Sequence, residues 1–173
     1  NNPQLEKEWD EEYGDRMIKL VFIGQHIKEQ DAIIVSPSLK MSVPAAAQFK
    51  LQLFNAFYGA PSQIHVFVIL FAAEKGIGTA LKQRSWWKGG NKNEFTICLG
   101  LEPGSMSVKW CKAFSWCDIP RMETALESWF IANPTLDFDE LCMWLRNNFS
   151  LWKRKEFKDF KYLGTRLSTG RLI

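Results

Sequence analysis

Nine consecutive residues, Trp86-Trp87-Lys88-Gly89-Gly90-Asn91-Lys92-Asn93-Glu94, gather cations, amides and glycines into one loop. Backbone amides in such a loop, with Lys88 and Lys92 beside them, are groups that hold an anion or a phosphate. The loop leads into an apolar run that reads as a strand, a place where α/β folds often bind ligands. Its glycines match neither a P-loop nor a dinucleotide fingerprint, so the competing reading is a solvated loop whose paired Trp86 and Trp87 pack on the core.

A second constellation is acidic. Glu94, Asp118 and Glu123 can meet at one end of a hairpin, and hard oxygen ligands of that kind suit Ca²⁺ or Mg²⁺. The structural alternative is that Asp118 caps the following helix while Glu123 supports its first turn. His26 and His65 are the only histidines, and neither has a sequence neighbour that makes a nucleophile pair or a metal site. Ser36, Ser38 and Ser115 lack a G-x-S-x-G elbow. Cys98, Cys111, Cys117 and Cys142 have neither CxxC nor Cys/His ligand spacing and read as buried free thiols. A Cys111 to Cys117 bridge is excluded if both lie on one strand, because six residues of extended chain separate them too far. No catalytic residue is assigned on these grounds, and non-catalytic function is the expectation.

The elements that would position these groups belong to one domain. With 173 residues, 46% of them hydrophobic, the chain can bury one sizeable core. Eight Trp and thirteen Phe are many for that length, and rings that large go into a core or into an interface. A net charge of +3 with pI near 8.7 is too small to imply nucleic acid, which is not expected as a partner. The longest apolar run, residues 64–73, is about half of a membrane-spanning helix. The chain opens on Asn1 and not Met, so it reads as processed or as a piece of something longer, with room upstream for a signal or anchor.

Leu5, Trp9, Tyr13, Met17 and Leu20 recur at three- and four-residue spacing, predicting an amphipathic helix over residues 1–30. A short edge strand follows at 32–35, ended by Ser36-Pro37-Ser38. Ser42 and Pro44 start a helix that Gly59 stops near Tyr58. Val43, Ala47, Leu51, Phe54 and Tyr58 are expected to line its buried face, with Gln48, Lys50, Gln52 and Asn55 outside. Residues 64–71 predict a central strand covered on both faces. A crossover at 76–87 leads to a hairpin of 95–101 with 106–116, turned by Glu102-Pro103-Gly104-Ser105. In its second strand Val108, Trp110, Lys112 and Phe114 share one parity. Helices follow from Met122 and from Asp137, the latter with Glu140 in capping-box position. The fold class is therefore α/β, a mixed sheet of about four strands with helices packed on its faces.

From Trp152 to Tyr162 cations alternate with rings, including Lys153 and Arg154. This segment suits an amphipathic helix packed on the sheet, a nucleic-acid backbone with stacking, or anionic lipid headgroups. Residues 164–173 read as a flexible tail.

Residues 42–116 resemble the TPM domain of thylakoid-lumen and bacterial membrane-associated proteins. The likeness rests on a helix at 43–58, an apolar strand at 64–71, the glycine-containing loop 86–93, and a hydrophobic hairpin of 95–101 with 108–114. Lys92-Asn93-Glu94 stands where that family tends to carry an Asp-Asn-Gly-like turn, and Phe114-Ser115-Trp116 replaces its Gly-Tyr-Gly. The resemblance implies a TPM-like domain over 31–163, tethered to a membrane through a partner or an outside anchor and involved in assembling membrane complexes. Phosphatase activity and divalent-metal binding have been attributed to some of its members. The expectation is a docking domain whose contacts are Trp86, Trp87, Lys88, Asn91, Lys92, Trp152, Lys153 and Arg154. The rival is a metal-dependent phosphatase that uses Glu94, Asp118 and Glu123 with Lys88 and Lys92 on the phosphate, and a third reading is a nucleic-acid-binding viral or phage accessory protein that uses the basic segment from Trp152.

Overall fold

The computed structural model describes residues 32–86, 94–115 and 120–151. Four strands form one mixed sheet in the order β1(Ile33–Val35), β2(His65–Ala72), β3(Glu94–Leu101), β4(Val108–Phe114). β1, β2 and β3 run parallel, and β4 returns antiparallel to β3. Among the described residues the longer α-helices that accompany them are α1(Ala45–Phe54), α2(Gly78–Trp86), α3(Pro120–Ala132) and α4(Phe138–Asn148). The predicted α/β class is observed, as is the predicted order of elements from β1 to α4; the helix predicted over residues 1–30 and the segment from Trp152 lie outside the described residues. No helix among the described residues is long and apolar enough to cross a membrane.

The strand pattern explains the layers. In β2, Val66, Val68, Leu70 and Ala72 point to one face and join Phe95, Ile97, Leu99 and Leu101 of β3 in the larger core. Leu51 and Phe54 of α1, Met122, Leu126 and Phe130 of α3, and Leu141 and Leu145 of α4 close that core. The alternate residues Ile69, Phe71, Cys98 and Phe114 form a smaller cluster on the opposite face with Ala80 of α2. β2 and β3 are thus buried on both sides, which is why they read as unbroken apolar runs. The crossovers through α1 and α2 step the same way along the sheet but over opposite faces. They therefore have opposite hands, and one is of the rare left-handed kind.

The hairpin departs from simple alternation. The β3–β4 register shifts between Gly100 and Leu101. Val108 consequently shares the larger core with Cys111 and Ala113, not the face of Trp110. The Trp110 indole lies over Gly100, where a Cβ would overlap it, and its Nε1 donates to the Ala73 carbonyl at 3.0 Å.

α1 also differs from expectation at both ends. It begins after Pro44 with no side-chain cap, and Ser42 stays exposed. It does not stop at Gly59. A π-helical stretch, Asn55–Gly59, continues it into a last turn, Ala60–Ser62, that ends on left-handed Gln63. Pro61 falls in that last turn. α4 starts as predicted, with Asp137 Oδ1 accepting from the amides of Asp139 at 2.8 Å and Glu140 at 3.1 Å.

Candidate functional site

Of the predicted contact residues, Trp87, Lys88, Asn91, Lys92, Trp152, Lys153 and Arg154 lie outside the described residues, as does Asp118. Trp86 closes α2 and is only 6% exposed. Its ring is part of the packed interior, so it does not stand free as an anchor for a partner. The loop between Trp86 and Glu94 enters β3 at the strand's amino end. α/β folds bind ligands at the carboxyl ends, and that positional argument for an anion site falls away.

Glu94 is the first residue of β3 and is register neighbour to His65. His65 opens β2 as a partly buried strand-end residue, stacked on Phe67 with centroids 4.3 Å apart. Burial holds its imidazole below the usual pKa of 6.5, in the neutral form at pH 7. Glu123 sits on α3, where burial raises its carboxyl pKa while Lys112, Arg84 and a hydrogen bond from the Ser115 amide pull it down. Glu127, one turn on, accepts the Ala113 amide at 3.3 Å and pairs with Lys112 at 3.2 Å. Four helical residues advance about 6 Å and two extended residues about 6.8 Å, so this carboxylate pair matches the spacing of the Ala113 and Ser115 amides, the second just past the end of β4. The sequence analysis passed over Glu127, although its i+4 relation to Glu123 was visible. Both carboxylates cover the sheet's edge. Among the described residues no three His, Cys, Asp or Glu side chains converge in a metal-binding group.

The three thiols among the described residues are chemically quiet; Cys117 lies outside them. Burial raises Cys98 and Cys111 well above their ordinary pKa and lifts Cys142 to about 11, so all three stay protonated and poorly nucleophilic at neutral pH. Cys98, Cys111 and Cys142 are free.

The most unusual surface belongs to α1 and its π-helical extension. Two amides that the sequence reading put outside turn inward instead. The Gln48 side chain accepts the Ile33 amide at 3.0 Å and donates to the Ile33 carbonyl at 2.7 Å. Asn55, 8% exposed, does the same for Val66, at 2.8 Å and 3.0 Å. Each amide thereby imitates a paired strand residue. Gln48 covers the β1 edge, and Asn55 takes the place that a longer β1 would occupy beside β2.

With the amides turned inward, the opposite face of the helix is apolar. Phe49, Leu53 and Phe57 recur at four-residue spacing and are 59%, 38% and 70% exposed. Ala45, Ala46, Ala56 and Ala60 stand exposed around them. Between Ser42 and Gln63 the one charged residue is Lys50, and its ammonium is paired with Asp139 at 2.7 Å. The helix is fixed from the other side by Phe54 against Phe149, centroids 5.2 Å apart, and by Arg146 over the Tyr58 ring at 4.9 Å. The apolar face is therefore carried on a well-anchored element. Its signal was present in the sequence as a second apolar stripe, 49-53-57, competing with 47-51-54-58.

Compared with protein-family models, curated proteins and solved structures, the chain matches none.

Proposed function

We propose that this chain is a non-catalytic interaction domain that docks on a larger protein complex through the outer face of α1. The observation that carries the reading is the exposure of Phe49, Leu53 and Phe57 on a helix whose one charged residue, Lys50, is paired with Asp139. Contiguous exposed apolar area of this kind marks interaction sites, and exposed Phe with small neighbours suits another helix laid across it. A bilayer is a poorer match, because surface-seeking helices carry Lys and Arg along the border of their apolar side. The protonated thiols and edge-capping carboxylates further support a binding role over a catalytic one. Membrane association of the complex is the part of this reading that comes from the TPM-like pattern, and it places the membrane anchor in the partner or outside this chain.

The test is purification of the tagged chain from its native source, from gently solubilised membranes and from the soluble fraction, beside a Phe49→Ser/Phe57→Ser variant. A stoichiometric complex larger than the 20.0 kDa chain, lost in the variant while the fold persists, is the expected result. A lone chain in both fractions, or a complex indifferent to the substitutions, would contradict the reading.

A further inference from the structure

The outer face of α1 and its extension reads the same in both directions. Leu53 stands at its centre, with Phe49 four residues before it and Phe57 four residues after, and exposed Ala45 and Ala60 lie beyond them. Such a stripe is self-complementary under a two-fold axis through Leu53. That axis turns two helices antiparallel and sets Phe49 of one copy against Phe57 of the other.

The charges beside the stripe favour the same arrangement. α4 flanks α1 from Asp139, paired with Lys50 at 2.7 Å, to Arg146, which lies over the Tyr58 ring at 4.9 Å. At the Phe49 end Asp137, Asp139 and Glu140 outnumber Lys50, while the Phe57 end carries Arg146. Asp139, Met143 and Arg146 share one side of α4 by their spacing, and Met143, 63% exposed, adds apolar surface between the two charges. A two-fold axis across α1 keeps α4 on the same flank in both copies and reverses its direction, so the acidic end of one copy meets Arg146 of the other. A parallel pair would put the two α4 helices on opposite flanks and lose that match.

Area sets the strength. A Phe side chain buries roughly 150–250 Å², so the exposed parts of Phe49 and Phe57, with Leu53, Met143 and the alanines, come to about 500 Å² per copy. About 1,000 Å² for the pair is the low end for a specific interface and predicts a weak, exchanging dimer.

We propose that the occupant of this face is a second copy of the chain, held antiparallel across a two-fold axis at Leu53. The dimer rests on the interaction reading above and names a partner for the same surface; being weak, it leaves the face open to exchange with a larger complex. The test is sedimentation velocity of the full purified chain across the micromolar range, beside the Asp139→Arg and Arg146→Glu variants, alone and mixed. The native chain should pass from 20.0 kDa toward twice that mass with a midpoint on the order of 10 μM. Each variant alone sets like charges together and should raise the midpoint about fivefold or more. An equimolar mixture, in which each new charge meets its opposite, should restore it. A mass of 20.0 kDa at every concentration, a dimer that neither variant weakens, or a mixture without rescue would overturn the proposal. A monomer whose native-source complex is still lost on Phe49→Ser/Phe57→Ser overturns the second copy and leaves the interaction reading standing. The dimer as described, with no other partner in the native source, overturns docking on a larger complex and leaves the dimer standing.

Discussion

The two sides of α1 partly reverse the usual rule for an amphipathic helix. The side toward the sheet carries Gln48 and Asn55, each spending its whole amide on one strand residue, alongside Leu51 and Phe54. The side toward water carries Phe49, Leu53 and Phe57 beside the exposed Lys50 and Gln52. Both placements follow from one constraint. Three-residue β1 leaves backbone groups of β2 without a strand neighbour, and buried backbone groups must be paired, so the amides are drawn inward and the helix's rotation is set. The aromatic stripe is left outside as a consequence. The lesson is that hydrogen-bond accounting can outweigh hydrophobicity in choosing which side of a helix is buried.

Breaking the inner side has the largest expected effect. Asn55→Ala leaves the Val66 amide and carbonyl buried and unpaired, and should cost about 2–4 kcal/mol of unfolding free energy, read from urea denaturation. Gln48→Ala strips the same kind of bond from a part-buried edge, where water can substitute. A loss of about 1–2 kcal/mol is expected, together with concentration-dependent association from the uncovered β1 edge, visible by light scattering.

The other edge of the sheet sharpens the comparison, because there the capping groups are carboxylates, and burial shifts that of Glu123. The folded-state pKa of Glu123 lies above its ordinary 4.5 because burial disfavours the charged form. The folded protein then holds that proton more tightly than the unfolded chain does. Its contribution is fully present below pH 4.5 and is lost as pH rises through the folded pKa. Glu123→Gln, which can still accept the Ser115 amide, should flatten this part of the stability profile above pH 4.5. His65 has the opposite sign. Its depressed pKa gives stability that is present above pH 6.5 and lost as pH falls through the folded value, and His65→Phe should remove that slope.

Much of the architecture was legible because it rests on periodicity. β2 and β3 announced themselves as runs of branched and aromatic residues, and Asp137 with Glu140 marked the start of α4. The failures have particular causes. Val108 was assigned to the wrong face because a register shift resets parity, and no residue type announces one. Gln48 and Asn55 were placed outside because polar residues usually are; nothing local says that β1 is too short to pair with Val66. Trp86 was read as an anchor because two adjacent tryptophans are conspicuous, yet its position at the end of α2 turns it inward. Of the candidate site, the Phe49-Leu53-Phe57 stripe was visible in the spacing but indistinguishable from a core stripe until the amides had fixed the helix's rotation.

The reversal of α1 is tested most directly by measuring unfolding free energies of Asn55→Ala and Phe49→Ser/Phe57→Ser side by side in urea. The account predicts that the single polar change costs about 2–4 kcal/mol. The double aromatic change should cost less than about 1 kcal/mol, as expected of surface positions whose contacts open locally. The opposite order, with the two phenylalanines costing more than the buried amide, would mean that the stripe belongs to the core and would contradict the docking surface altogether.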